Sequence, residues 1–171
     1  MARSIGFPPV AASGAKLLIL GSLPGKRSLE AQQYYAQPRN AFWPLMSSLF
    51  GVDADACYAD RLRGLNDHGV ALWDVCASAE RLGSLDQRIE LSTVRANDFE
   101  RFLTEYQEIR LICFNGAKAA SLYQRLVLPA LSARAAAIPS RRLPSTSPAH
   151  ASLTFAQKCD HWRSALAPFL E

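Results

Sequence analysis

Little in this 171-residue chain is suited to holding a metal or closing a disulfide framework. Its four cysteines, Cys57, Cys76, Cys113 and Cys159, are widely spaced and form no CxxC. Histidine occurs three times, at His68, His150 and His161, with no HxE or HExxH and no clustered carboxylates, which argues against a metal site. GK[ST] and GxSxG are both absent, which excludes a P-loop and a serine-hydrolase elbow. Long apolar runs are missing as well. The amino-terminal stretch MARSIGFPPVAASGAK is broken by Pro8 and Pro9 and reads as neither a signal peptide nor a membrane span. No internal repeat or low-complexity segment is present.

What is present describes a globular protein. Hydrophobic residues make up 49% and charged residues 20%, enough to bury a core without disulfides or metal. Residues 1–171 read as one domain, with residues 1–14 as an arm anchored through Phe7. Cys113 lies in an apolar run and Cys76 follows one, so both read as small core residues in a reducing cytoplasm. The net charge of +4 is compatible with an anionic partner and equally with an ordinary basic surface.

Four apolar segments read as strands: residues 16–21, 70–75, 109–114 and 135–143, the last a weak one. Between and after them, helices are expected over residues 40–50, 55–68, 98–107 (capped by Asn97), 116–126 and 154–170. Phe42, Leu45, Met46 and Leu49 form an apolar stripe on the first of these. Phe155, Cys159, Trp162, Leu166 and Phe169 form one on the last. Alternating strands and helices predict a three-layer α/β/α domain around a four-stranded, mostly parallel sheet. Sheets of that kind place sites at the carboxyl ends of their strands. The polar clusters Ser22–Gly25, Asp74, Asn115-Gly116 and Ser145–Ser147 all fall there.

The richest stretch is GSLPGKRSLEAQQYYAQPRNAFW, Gly21 to Trp43. Gly21, Pro24 and Gly25 make either a plain turn or a loop whose backbone approaches a ligand. Of Tyr34 and Tyr35, one can stack on a base while the other packs inward. Asn40 either caps the next helix or holds a water or a base edge. Phe42 and Trp43 read as core. Asp74 and Asn115 are strand-end polar residues with structural and functional readings both open. LPSTSPAH, Leu143 to His150, suits contact with a phosphate backbone.

GSLPG, YYAxPRNxFW and LPSTSPAH together resemble the uracil-DNA glycosylase superfamily, in particular its hypoxanthine-DNA (deoxyinosine) glycosylase branch. The resemblance spans the whole chain in outline and is specific in these motifs. It implies a uracil-DNA glycosylase-like fold, no cofactor, and DNA containing a deaminated base as partner of a cytoplasmic, nucleoid-associated monomer. Leu23 stands where mismatch-specific relatives carry a water-positioning asparagine, and Leu143 where the late motif carries a histidine. The resemblance therefore moves the catalytic task to Asn40 and gives base contact to Ser22, Leu23, Pro24, Gly25, Tyr35, Asp74 and Asn115. Lys26, Arg39, Ser145, Thr146, Ser147 and His150 become DNA contacts, with Arg141 and Arg142 as further phosphate candidates.

The expected activity is hydrolysis of an N-glycosidic bond in base excision repair without lyase activity, since neither motif supplies a lysine nucleophile, although Lys26 is close. A uracil or mismatch glycosylase of the same fold, a non-catalytic nucleic-acid-binding module and an unrelated α/β small-molecule enzyme are the competing readings. An iron–sulfur cluster, found in some branches, is disfavoured by the cysteine placement.

Overall fold

The computed structural model describes residues 2–170. Strands β2 (Leu17–Gly21), β3 (Val70–Asp74) and β6 (Leu111–Asn115) are buried along their whole length. They pair in parallel with β7 (Ser140–Leu143) in the order β3-β2-β6-β7. Near-continuous apolar strands need cover on both faces, and the side-chain alternation shows how they get it. Leu18, Leu20, Ala71, Trp73, Ile112 and Phe114 pack against helices α4 (Phe99–Glu105) and α5 (Ala117–Leu122). Leu17, Ile19, Val70, Leu72, Leu111 and Cys113 face α2 (Phe42–Phe50), α3 (Tyr58–Asp67) and α7 (Phe155–Leu166). This is the expected three-layer sandwich, with every pair in the central sheet parallel.

The sheet edges are blunted in two ways. On one side Val10 exchanges backbone hydrogen bonds with Leu72 (2.9 and 2.8 Å), so the amino-terminal arm covers β3. The arm is held there by Phe7, whose ring meets Tyr34 edge-on at 5.1 Å and whose carbonyl accepts from Trp73 Nε1. On the other side β7 is short and carries exposed Arg141 and Arg142.

Several local expectations are corrected. Residues 135–143 are not one strand: Ala133–Ala136 is helical and only Ser140–Leu143 pairs with β6. The alanine run favours a helical turn, and Pro139 separates it from the strand. The cap of α4 is Asp98, which accepts from Arg101 N–H, whereas Asn97 donates its side-chain amide to the Asp74 carbonyl. On α7, Phe155 is exposed; Cys159, Trp162 and Leu166 carry the buried stripe. Its start is a capping box formed by Thr154 and Gln157. The α5 helix runs on through a π-helical turn, Tyr123–Val127.

Residues 76–96 carry no element recognisable from the sequence. They form β4 (Cys76–Glu80) and β5 (Arg95–Ala96), which make a small antiparallel sheet with β1 (Arg3–Ile5) in the order β1-β4-β5. The loop leaving β4 passes beside the carboxyl end of the main sheet and contributes to the site.

Candidate active site at the carboxyl edge of the sheet

A cleft of about 820 Å³ opens at the carboxyl ends of the strands. That is within the range of small-molecule and base pockets, about 300–1,000 Å³. Its walls bring together the loop after β2, the Tyr35–Asn40 segment, Asp74, Asn115, the loop after β7 and residues 84–87.

The loop after β2 has a defined polarity. The Gly21 and Ser22 carbonyls accept from Val75 and Cys76 N–H at 2.9 and 3.0 Å. Arg81, almost fully buried, donates to the carbonyls of Leu23 (3.4 Å) and Pro24 and, through Nε, to Gly83 (3.1 Å). None of the peptide bonds among the described residues is cis. In a trans peptide the N–H points opposite to the preceding carbonyl. The N–H groups of Ser22, Leu23 and Gly25 therefore point away from the partners of these carbonyls, and all three residues line the cleft. The loop is thus a row of fixed donors: the backbone of residues 75 and 76 sets the N–H groups of Ser22 and Leu23, and the buried guanidinium sets that of Gly25 through the Pro24 carbonyl.

Gly21 is required for close packing beneath this loop. A Cβ there would lie 2.4 Å from Asp74 Oδ1 and 3.2 Å from Tyr35 Oη. Tyr34 and Tyr35 divide the two roles open to them. Tyr34 turns inward, its hydroxyl donating to the Pro8 carbonyl and its own carbonyl accepting from Trp43 Nε1. Tyr35 lines the cleft, with its ring stacked on Phe42 at 3.9 Å and 20°. It holds a left-handed backbone (φ 56°), a strained conformation for an aromatic residue and one found most often where function needs it. Its hydroxyl is buried and has no protein partner. Burial and the neighbouring Asp74 raise its pKa.

Asn40 lines the cleft and its Oδ1 accepts from Phe42 N–H at 2.9 Å, so the amide is braced at the start of α2. The adjacent Ala41 N–H donates to the Thr146 carbonyl, tying this segment to the late loop. Asn115 spends its side chain on the same loop: Nδ2 donates to Thr146 Oγ1 and Oδ1 accepts from Thr146 N–H, both at 2.9 Å. Thr146 is accordingly buried and works as the anchor, leaving Ser145, Ser147 and His150 on the cleft wall. Lys158 reaches beneath this loop to the Ser147 carbonyl at 3.4 Å.

Asp74 is 4% exposed and its Oδ2 has no hydrogen-bond partner. Burial, and secondarily the charge of Asp86, push its pKa up to about 7, with Arg81 opposing. Asp86 accepts from Ser22 Oγ at 2.6 Å, and burial raises its pKa too.

Of the residues singled out from sequence, Ser22, Leu23, Pro24, Gly25, Lys26, Tyr35, Asn40, Asp74, Asn115, Ser145, Thr146, Ser147 and His150 all border this one cleft. Arg39 is exposed outside it, and Leu143 is buried in the core away from it. Arg81, Ser84, Asp86 and Lys118 escaped sequence reasoning. Arg81, Ser84 and Asp86 lie in a segment without a recognised motif, where an arginine followed by LGSLD reads as a solvated loop, and Lys118 lies on the helix after the Asn115-Gly116 turn, where a lysine carries no signal of its own.

A family model described as the uracil DNA glycosylase superfamily matches residues 8–170. The chain belongs to the uracil DNA glycosylase superfamily. A protein of Methanosarcina acetivorans named hypoxanthine DNA glycosylase is 38% identical over a match covering 74% of this chain and 85% of the relative. One of the same name from Methanosarcina barkeri is also 38% identical, over 67% of this chain and 72% of the relative. A solution NMR structure of a uracil DNA glycosylase candidate from M. acetivorans superimposes with a TM-score of 0.82 at 33% identity, covering 99% of this chain and 100% of that one. Among the described residues no group of three or more His, Cys, Asp or Glu is placed to hold a metal, and no helix is long and apolar enough to cross a membrane.

Proposed function

We propose that this protein is a monofunctional DNA glycosylase that hydrolyses the N-glycosidic bond of hypoxanthine in DNA, acting as a monomer in the cytoplasm at the nucleoid. The observation that carries the reading is the convergence of donor loop, stacked tyrosine, braced asparagine and Ser/Thr loop on one cleft, in a chain whose curated relatives bear that name.

A base inside a duplex is out of reach of such a cleft and has to leave the stack, at a cost of a few kcal/mol that is smallest for a mispaired base. Hypoxanthine mispairs. Its ring extends the Phe42–Tyr35 stack, a contact worth about 1–3 kcal/mol per base. The outward N–H groups of Ser22, Leu23 and Gly25 donate to its carbonyl oxygen, where adenine would present an amine that cannot accept. The same donors stabilise negative charge as the base departs. Asn40, fixed through Phe42 N–H, orients the water that adds to the sugar. Lys26, Ser145, Ser147 and His150 line the strand's path, and Lys118 adds charge on the same wall. Binding through such contacts weakens with salt.

The test is single-turnover cleavage of duplexes containing hypoxanthine, uracil, xanthine or a G·T mismatch, with alkaline detection of abasic sites. Hypoxanthine is expected to be cut fastest, and Asn40→Ala to slow it by about 10²-fold or more, the scale of a lost positioning contact, with lesion-DNA affinity largely retained. Cleavage by Asn40→Ala at the wild-type rate removes its role. Preference for uracil moves the chain to a different activity of the same superfamily, and lesion binding without product makes it a binding module.

A further inference from the structure

Two carboxyl groups, buried Asp74 and half-buried Asp86, line the same cleft, and among the described residues no cation forms an ion pair with either. The one guanidinium beside them, Arg81, directs its Nε and both terminal nitrogens to the carbonyls of Gly83, Leu23 and Pro24. The single ion pair among the described residues is Arg63–Asp60, on the surface. Asp86 has a donor in Ser22 Oγ, whereas Asp74 Oδ2 has none. A buried, unpaired carboxylate is costly, and two neighbouring ones do not both ionise readily. The arrangement is resolved when Asp74 carries a proton. An acid O–H then needs an acceptor: Oδ2 is buried and has no partner, and Asp74 meets the cleft through its other oxygen, Oδ1, which is not shut off in this way.

We propose that Asp74 works as a neutral carboxylic acid that gives its proton to the departing base, with Asp86 as the positioning residue that keeps the proton there. This rests on the glycosylase reading above and adds to it the group that neutralises the leaving base. As the bond from C1′ to the base nitrogen breaks, its electron pair passes to the base. The proton on Asp74 moves to a ring nitrogen or carbonyl oxygen of that base. A water oxygen bonds to C1′ and releases one proton to solvent, and the Asp74 carboxylate regains one from solvent. Bases and protons balance, and no cofactor enters.

The groups facing Asp74 come from four elements: Asp86 and Arg81 from the loop after β4, Tyr34 and Tyr35 from the segment before α2, Cys76 from β4 and Tyr58 from α3. Lys118 of α5 acts on Asp86. The acid form predominates below a pH of about 7 and is lost as pH rises through it. An acid role therefore predicts a rate that falls with rising pH. A base role for the same residue predicts a rise.

The experiment is the single-turnover rate on a hypoxanthine duplex, with uracil and xanthine duplexes in parallel, from pH 5.5 to 9.5 at constant ionic strength, for wild type, Asp74→Asn and Asp86→Asn. Both substitutions keep the shape of the side chain. The wild-type rate is expected to fall about tenfold per pH unit on the alkaline side, the slope of a single required proton. Asp74→Asn is expected to lose that limb and about 100-fold in rate at pH 6, within the range of a general acid. Asp86→Asn is expected to move the limb to lower pH, which a purely structural role for Asp86 would not do. Cleavage with a flat or rising profile, or an Asp74→Asn limb unchanged from wild type, overturns the acid role while leaving the glycosylase reading in place. Absence of product from all three duplexes at every pH overturns both.

Discussion

Replacing Gly21 by alanine puts a methyl carbon 2.4 Å from Asp74 Oδ1 and 3.2 Å from Tyr35 Oη. Non-bonded heavy atoms settle at roughly 3.5–4.0 Å, so the carboxylate must retreat by about 1 Å. Gly21 and Asp74 sit opposite each other in adjacent parallel strands, and Asp74 lines the cleft, which gives its side chain room to yield. Overpacking of this kind costs about 1–3 kcal/mol. For a chain of this length each kcal/mol lowers Tm by about 2–4 °C, so a fall of about 2–12 °C is expected. The functional loss should be larger, because a displacement of about 1 Å in a catalytic site costs on the order of 10²-fold in rate. Gly25→Ala is the stability control from the same loop. Its Cβ would meet Ser84 at 3.7 Å, an ordinary contact, and its φ of −73° suits any residue. Its Tm should stay within about 0.5 kcal/mol of wild type in free-energy terms. Calorimetry and single-turnover cleavage of a hypoxanthine duplex read both effects. Wild-type rate and Tm in Gly21→Ala, or an equal loss of Tm in Gly25→Ala, would refute the close-packing account.

Asn115→Ala removes two hydrogen bonds to Thr146 and strands a buried N–H; urea denaturation should show a loss of about 2–4 kcal/mol, and a loss below about 1 kcal/mol would mean that other contacts hold the late loop. Arg81→Met keeps the apolar stem but leaves the Leu23 and Pro24 carbonyls without their charged donor; about 3 kcal/mol should be lost, with faster amide exchange across residues 22–26. Unchanged exchange there would show that Arg81 does not orient the loop.

Three strands of the central sheet, β2, β3 and β6, were legible because they are apolar on both faces, and such runs as LLILG and LICFN have few other places to go; β7 (SRRL) carries no such pattern. Convergence of the polar clusters was legible for a topological reason: parallel strands deliver all their carboxyl ends to one edge. Small antiparallel strands left no comparable trace. CASAE alternates weakly, and β5 is a two-residue strand defined by its partners rather than by its own pattern. The helical turn at Ala133–Ala136 was hidden by hydrophobicity that suits either conformation. At the site, Asn115 and Thr146 were recognisable as polar loop residues, but their mutual engagement depends on a contact between residues 31 positions apart. No local rule anticipates it. The same holds for Arg81 and Asp86, whose importance comes from the buried environment the loop finds after folding.

Leu23 and Leu143 show how the site can dispense with polar groups at two positions where the motifs lead one to look for them. Both side chains are buried, at 5% and 6% exposure, and each belongs to a different hydrophobic cluster. A polar residue at either point would have to be satisfied in the core at a cost of about 1–3 kcal/mol if it were not. Leucine instead consolidates the loop from below, while its backbone still supplies a carbonyl to Arg81 at residue 23 and one to Gly116 N–H at residue 143. The polar work on the proposed reading then falls to groups held from outside these motif positions: Asn40 braced by α2, and Asp74 flanked by the Arg81–Asp86 loop. Restoring asparagine at Leu23 alone would therefore not restore a water site. It would place an amide in an apolar pocket while the bracing that makes Asn40 useful remained seventeen residues further along the chain.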